Sequence, residues 1–163
     1  MKGERLVIGL LAFCIVFGAA LWHFQNRAHY QKVTGVTEVA AYGDMFPVSA
    51  YEGIDATTSP LKMRACFQVD WEYWPSDEFR DVAEPLTAPG WFSCFDAEAI
   101  GRDIKSGAAT AILADENTPY GFDRFIAQYE DGRAFMWRQI NACGKAAFKG
   151  EDLPDGCPEK TES

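Results

Sequence analysis

Residues 122–141 read FDRFIAQYEDGRAFMWRQIN, and this stretch sets the fold class. Phe122 to Glu130 and Arg133 to Asn141 flank Asp131-Gly132, the two-residue signature of a type I′ hairpin turn. With that turn, Phe125 faces Arg138 and Ala127 faces Met136. Ala108 to Ala114 reads as a strand of small residues just before the hairpin. A helix is expected from about Ala97 to Ser106. Asp96 caps its start, Glu98 suits the positive end of the dipole, Arg102 and Lys105 suit the negative end, and Gly107 stops it. Ile100 and Ile104 then share a face.

Further towards the N-terminus, Leu61 to Val69 (LKMRACFQV) alternates. Leu61, Met63, Ala65, Phe67 and Val69 point one way, and Lys62, Arg64, Cys66 and Gln68 the other. Met45 to Tyr51 is a strand that Pro47 confines to an edge, and Val33 to Tyr42 is a strand with Gly35 at a bulge. Ser76 to Ala83 is expected to form a short helix with Ser76 as its N-cap. About six strands and two short helices in no βαβ rhythm make an α+β domain with a mainly antiparallel sheet.

The chain has 163 residues, room for about one domain. At 48% hydrophobic and 24% charged it matches the globular average, which excludes wholesale disorder. Its first thirty residues differ from the rest. Leu6 to Trp22, LVIGLLAFCIVFGAALW, contains no charge. As a helix it spans about 25 Å, a little short of the ~30 Å hydrocarbon layer. Trp22, Phe24 and Tyr30 stand where an interfacial aromatic belt would lie. We read this run as a membrane anchor. Cleavage after Ala20 is the alternative, since Gly18 and Ala20 are small. A lipoprotein signal does not fit, because Phe13 precedes Cys14 and the apolar run continues beyond it.

The layout expected is a cytoplasmic N-terminus over 1–5, an anchor over 6–24 and a linker over 25–32. A periplasmic α+β domain follows over 33–150, with an irregular tail over 151–163 tied by Cys157. Lys2 and Arg5 balance Arg27 and Lys32, so basic residues leave the orientation open. Cysteine breaks the tie. Outside the anchor stand Cys66, Cys94, Cys143 and Cys157, an even number with no CxxC spacing. That suits two disulfides in an oxidising compartment, and hence a bacterial inner membrane with the domain outside. Of the three possible connectivities, Cys66–Cys94 and Cys143–Cys157 both close local loops. Residues 1–30 carry +2, so the remainder carries −11 of an overall −9. Such a domain is repelled by an anionic lipid surface.

Several stretches are familiar as a set: Ser59-Pro60-Leu61 with Arg64-Ala65-Cys66-Phe67, Pro85 to Ala97 (PLTAPGWFSCFDA), Tyr120 to Arg124 (YGFDR) and Gln139 to Gly144 (QINACG). The set resembles an uncharacterised family of alphaproteobacterial, Rhodobacter-type proteins with one N-terminal membrane segment, a domain of unknown function. The resemblance implies a bacterial envelope location and assigns no catalytic residue.

The chemistry available is narrow. The two histidines, His23 and His29, both lie beside the apolar run. A Ser-His-Asp or Cys-His mechanism therefore has no imidazole in the domain, and a His-ligated metal site has no ligand there. Neither GxGxxG nor GxxxxGK[ST] occurs, so no nucleotide is expected. The acidic balance excludes a nucleic-acid footprint. No cofactor, metal or catalytic residue is expected. Asp70, Glu72, Asp77, Glu78, Asp81 and Glu84 form an acidic stretch, read as a solvated loop, although two such groups can act as acid and base on a glycan. Asp115, Glu116 and Asn117 read as a turn. Trp71, Tyr73 and Trp74, with Trp91, are the candidate binding residues: large rings beside carboxylates make a protein contact or a sugar platform, and the alternative is that they fill the core around a disulfide. The expected function is a non-catalytic, membrane-anchored periplasmic interaction or accessory protein, held through Leu6 to Trp22 and bound to an envelope protein. The alternative is an envelope glycan-binding module or a carboxylate-based periplasmic hydrolase.

Overall fold

The computed structural model describes residues 2–70, 79 and 81–159. The chain divides into two compact units, Met1–Tyr30 and Gln31–Ser163. The first is one helix, α1 (Lys2–Asn26). Gly3–Gln25 has a mean hydropathy of 2.3 and is long and apolar enough to cross a membrane. Its Leu, Ile, Val and Phe side chains are exposed on all sides, as in a helix built for an apolar surrounding.

The second unit is α+β. Its strands are β1 (Gln31–Thr34), β2 (Glu38–Ala41), β3 (Asp44–Pro47), β4 (Ser49–Asp55), β5 (Arg64–Gln68), β6 (Ala109–Asp115), β7 (Phe122–Tyr129) and β8 (Arg133–Ile140). Among the described residues its α-helices are α2 (Ala97–Ser106) and α3 (Ala142–Lys149). Six strands form one sheet in the order β1-β4-β5-β8-β7-β6, antiparallel at every step, while β2 and β3 form a separate two-stranded sheet.

α2 has the expected bounds. Asp96 accepts from the Ala99 amide at 3.0 Å, and Gly107 closes the helix at φ 80°, a conformation that favours glycine. Ile100 and Ile104 are buried. The β7–β8 hairpin forms with a different turn. Phe125 pairs with Trp137 and Ala127 with Phe135, not with Arg138 and Met136. The loop holds three residues, Glu130 to Gly132, with Gly132 at φ 85°. One residue of slip reverses which side chains meet across the pair. The I′ turn lies elsewhere: Tyr42 (φ 55°) and Gly43 (φ 83°) join β2 to β3.

Three further expectations change. Val33–Tyr42 is two strands, β1 and β2, parted at Gly35 (φ 75°) and placed in different sheets. Met45–Tyr51 likewise divides after Pro47, and a β-bulge with Ala50 at φ 50° follows in β4. In the Leu61–Val69 stretch, Pro60–Lys62 is a 3₁₀ turn and the strand begins at Arg64. Of the helix expected over Ser76–Ala83, residues 76–78 and 80 lie outside the described residues; Phe79 and 81–83 form a turn, with the Ala83 amide bonded to the Phe79 carbonyl. A further short helix, which the sequence reading did not place, is α3, capped by Asn141 and Gly150. Residues 151–159 are irregular, and β1 starts at Gln31, inside the segment expected as linker.

Both faces of the large sheet are covered. On one, Met63, Ala65, Phe67, Ile112, Ile126 and Met136 pack against Val39, Ala41 and Val48 from the β2–β3 region. The other is aromatic. Phe125 stacks on Trp137 with centroids 5.9 Å apart, Phe95 meets Trp137 and Phe135 edge-on, and Phe135 meets Tyr129. Trp137 is fully buried.

Candidate functional site

Disulfide bonds join Cys66 to Cys94 and Cys143 to Cys157, the local-loop pairing. Cys66 lies in the middle of β5 and Cys94 in the irregular run before α2, so the first bond ties a loop to the sheet. Arg64, two residues earlier on the same face, is 3% exposed. Its guanidinium donates to the carbonyls of Leu86 (2.7 Å), Leu61 (2.7 Å) and Met63 (2.6 Å), and lies over the Phe95 ring. Gln139 holds the same loop further along. Its Nε2 donates to the Val82 carbonyl at 2.7 Å, and its Oε1 accepts from the Glu84 amide at 2.8 Å. These groups act as loop tethers.

Arg124 and Arg138 are direct cross-strand partners, an arrangement that like charges oppose. Carboxylates compensate them: Arg124 bonds Asp115 and also the Ala40 carbonyl, and Arg138 lies 3.6 Å from Asp55. Burial, and then the Arg138 charge, lower the Arg124 pKa. Burial chiefly raises the Tyr51 hydroxyl beside them. Tyr129 donates to Asp103 of α2 at 2.7 Å, and burial, followed by that bond, raises its pKa as well.

The YGFDR and QINACG stretches meet at one end of the hairpin. Asn141 donates to Asn117 (2.8 Å) and Asp123 (2.7 Å), and the Asn117 amide donates to Asp123 (3.0 Å). Gly121 and Gly144 touch backbone to backbone: a Cβ on Gly121 would lie 2.6 Å from the Gly144 Cα. Of the three residues expected as a turn, Asp115 instead ends β6 and is committed to Arg124, while Glu116 and Asn117 lie in the bend that follows. The network also organises α3, whose Gly144 amide donates to the Asn141 side chain at 2.9 Å. Beside it opens a cavity of about 710 Å³, whose apolar lining includes Leu61, Leu86 and Ile140. Asp81 and Glu84 are exposed on its rim.

Of the four candidate binding residues, Trp71, Tyr73 and Trp74 lie outside the described residues, as do Glu72, Asp77 and Glu78. Trp91 is half-buried and lines a second cavity of about 250 Å³ with Lys32, Thr34, Glu52, Gly53, Phe92 and Ser93. The Lys32 ammonium lies 6.0 Å from the Trp91 ring centroid. Sequence reasoning found Trp91 but not its neighbours. Lys32, Thr34 and Glu52 are ordinary strand residues whose convergence depends on pairing between β1 and β4. Among the described residues, no group of three or more His, Cys, Asp or Glu is placed to hold a metal ion.

Residues 33–158 match a family of unknown function, DUF6446, and the chain belongs to that family. No curated protein and no solved structure matches the chain.

Proposed function

We propose that the protein is a non-catalytic, single-pass protein of a bacterial inner membrane that presents its domain to the periplasm, where the domain binds another envelope protein. The observation that carries this reading is the joining of one apolar, membrane-length helix to a domain braced by two disulfides. Disulfides persist in oxidising compartments, and a free-standing apolar helix needs a bilayer. The domain's −11 charge and its lack of histidine fit a binding role beyond the lipid surface better than nucleic-acid contact or acid–base catalysis. An alphaproteobacterial origin belongs to the same reading.

The test is crosslinking in intact cells, followed by mass spectrometry and by purification in mild detergent. The expected result is one protein recovered in fixed stoichiometry, crosslinked to residues of 33–158. Repeated recovery of a lone monomer, with no crosslink above background, contradicts the reading.

A further inference from the structure

We propose that the cavity beside Trp91 binds a single hexopyranose ring. The register of the sheet builds the site. Thr34 pairs with Glu52 across β1 and β4, and Glu52 pairs with Cys66 across β4 and β5. Cys66 is bonded to Cys94, so the disulfide pins Trp91 to Ser93 beside the same row of residues. Phe92 anchors that loop in the core while Trp91 and Ser93 border the cavity. Lys32 lies two residues before Val33's neighbour Thr34, on the same strand face as Thr34 and Glu52.

The chemistry of this lining is that of sugar recognition. An indole ring offers a flat apolar wall for the C–H face of a pyranose. Around it stand one ammonium, one carboxylate and two hydroxyls, all on exposed residues. No ion pair joins Lys32 to Glu52, and the Glu52 carboxylate accepts no hydrogen bond among the described residues. At 6.0 Å the ammonium is at the outer limit of a cation–π contact. It remains able to donate to a hydroxyl of a ring lying on the indole. Donor and acceptor side by side match the vicinal hydroxyls of a hexose, which both donate and accept. The volume, about 250 Å³, equals roughly eight waters at ~30 Å³ each, which suits one sugar ring. The site stands independently of the protein-partner reading, and crosslinking to a partner neither supports nor weakens it.

The test uses the full chain in lauryl dimethylamine oxide, a detergent without a sugar headgroup. Chitotriose, maltotriose and glycine are titrated separately by calorimetry. Saturable binding of at least one trisaccharide is expected, weakened about tenfold by Trp91→Ala and by Glu52→Gln. Glu52→Gln and Lys32→Met change exposed side chains and keep the test decisive if Trp91→Ala perturbs folding. Failure of both trisaccharides to saturate overturns the proposal. So does binding of glycine alone, which would mark a site for zwitterions, or sugar binding that survives both Glu52→Gln and Lys32→Met.

Discussion

The two faces of the six-stranded sheet are closed by different means. One is covered by the β2–β3 hairpin, a regular element with its own backbone ladder. It needs few extra ties: the Tyr42 amide bonds the Ala114 carbonyl at 2.9 Å, and Arg124 reaches the Ala40 carbonyl at 2.7 Å. Mostly aliphatic side chains, with two methionines and Phe67, fill the space between. The other face is covered by α2 and by residues 81–96 before it, which form no strand. That cover is held by a disulfide, one bond and a ring contact from buried Arg64, the Gln139 clamp and the Tyr129–Asp103 bond. Where a covering segment lacks repetitive backbone bonding, side chains must satisfy its carbonyls and amides one by one. The candidate sugar site lies on the tethered side, at a loop that the disulfide fixes.

The contrast predicts where the domain is most fragile. Arg64→Ala should cost the most, about 3–5 kcal/mol, because three carbonyls lose a charged donor in the interior; chemical denaturation reads this directly. A loss below 1 kcal/mol would mean that water replaces the guanidinium and the tether is dispensable. Replacing Cys66 and Cys94 together by alanine should cost about 3–4 kcal/mol from the freed loop. It should also loosen the Trp91 region, while hydrogen exchange of β2 and β3 changes least. Equal loosening of both faces would erase the distinction.

Tyr129→Phe should cost about 1–2 kcal/mol by breaking the bond to Asp103. Its pH dependence has a definite sign. The folded pKa is raised above the ordinary value of 10.0, so the neutral phenol is what the fold favours. That stabilisation is fully present below about pH 10 and fades as pH climbs through the folded value. The difference between variant and parent in denaturation midpoint should therefore shrink above pH 10. On the hairpin-covered face, Gln128 is 0% exposed, and its amide nitrogen and oxygen have no hydrogen-bond partner among the described residues. Gln128→Met keeps the shape and removes two unbonded polar atoms, so it should raise stability by about 1 kcal/mol.

Local chemistry made part of this architecture legible. Asp96 and Gly107 bracket α2 because a carboxylate cap and a positive-φ glycine act within one turn of chain. The strands of the hairpin were equally clear, but its register was not. Asp-Gly suits a two-residue turn as well as the three-residue loop found, and the choice follows from packing. In the observed register Phe125 meets Trp137 and joins the aromatic cover. α3 escaped notice because Ala142 to Ala147 are mostly small residues with little apolar periodicity. Its Gly144, poor for a helix, is required by contact with Gly121 some twenty residues earlier. The Trp91 cavity shows the same limit. Its ring is conspicuous in sequence, whereas Lys32 and Glu52 gain meaning only from strand pairing.

The most direct test is thiol labelling of spheroplasts with a membrane-impermeant maleimide, before and after an impermeant reductant. Cys66, Cys94, Cys143 and Cys157 should resist the reagent until reduced, then react in unbroken cells. Four cysteines that react without reduction, and only once the membrane is lysed, would place a reduced domain in the cytosol and contradict the account.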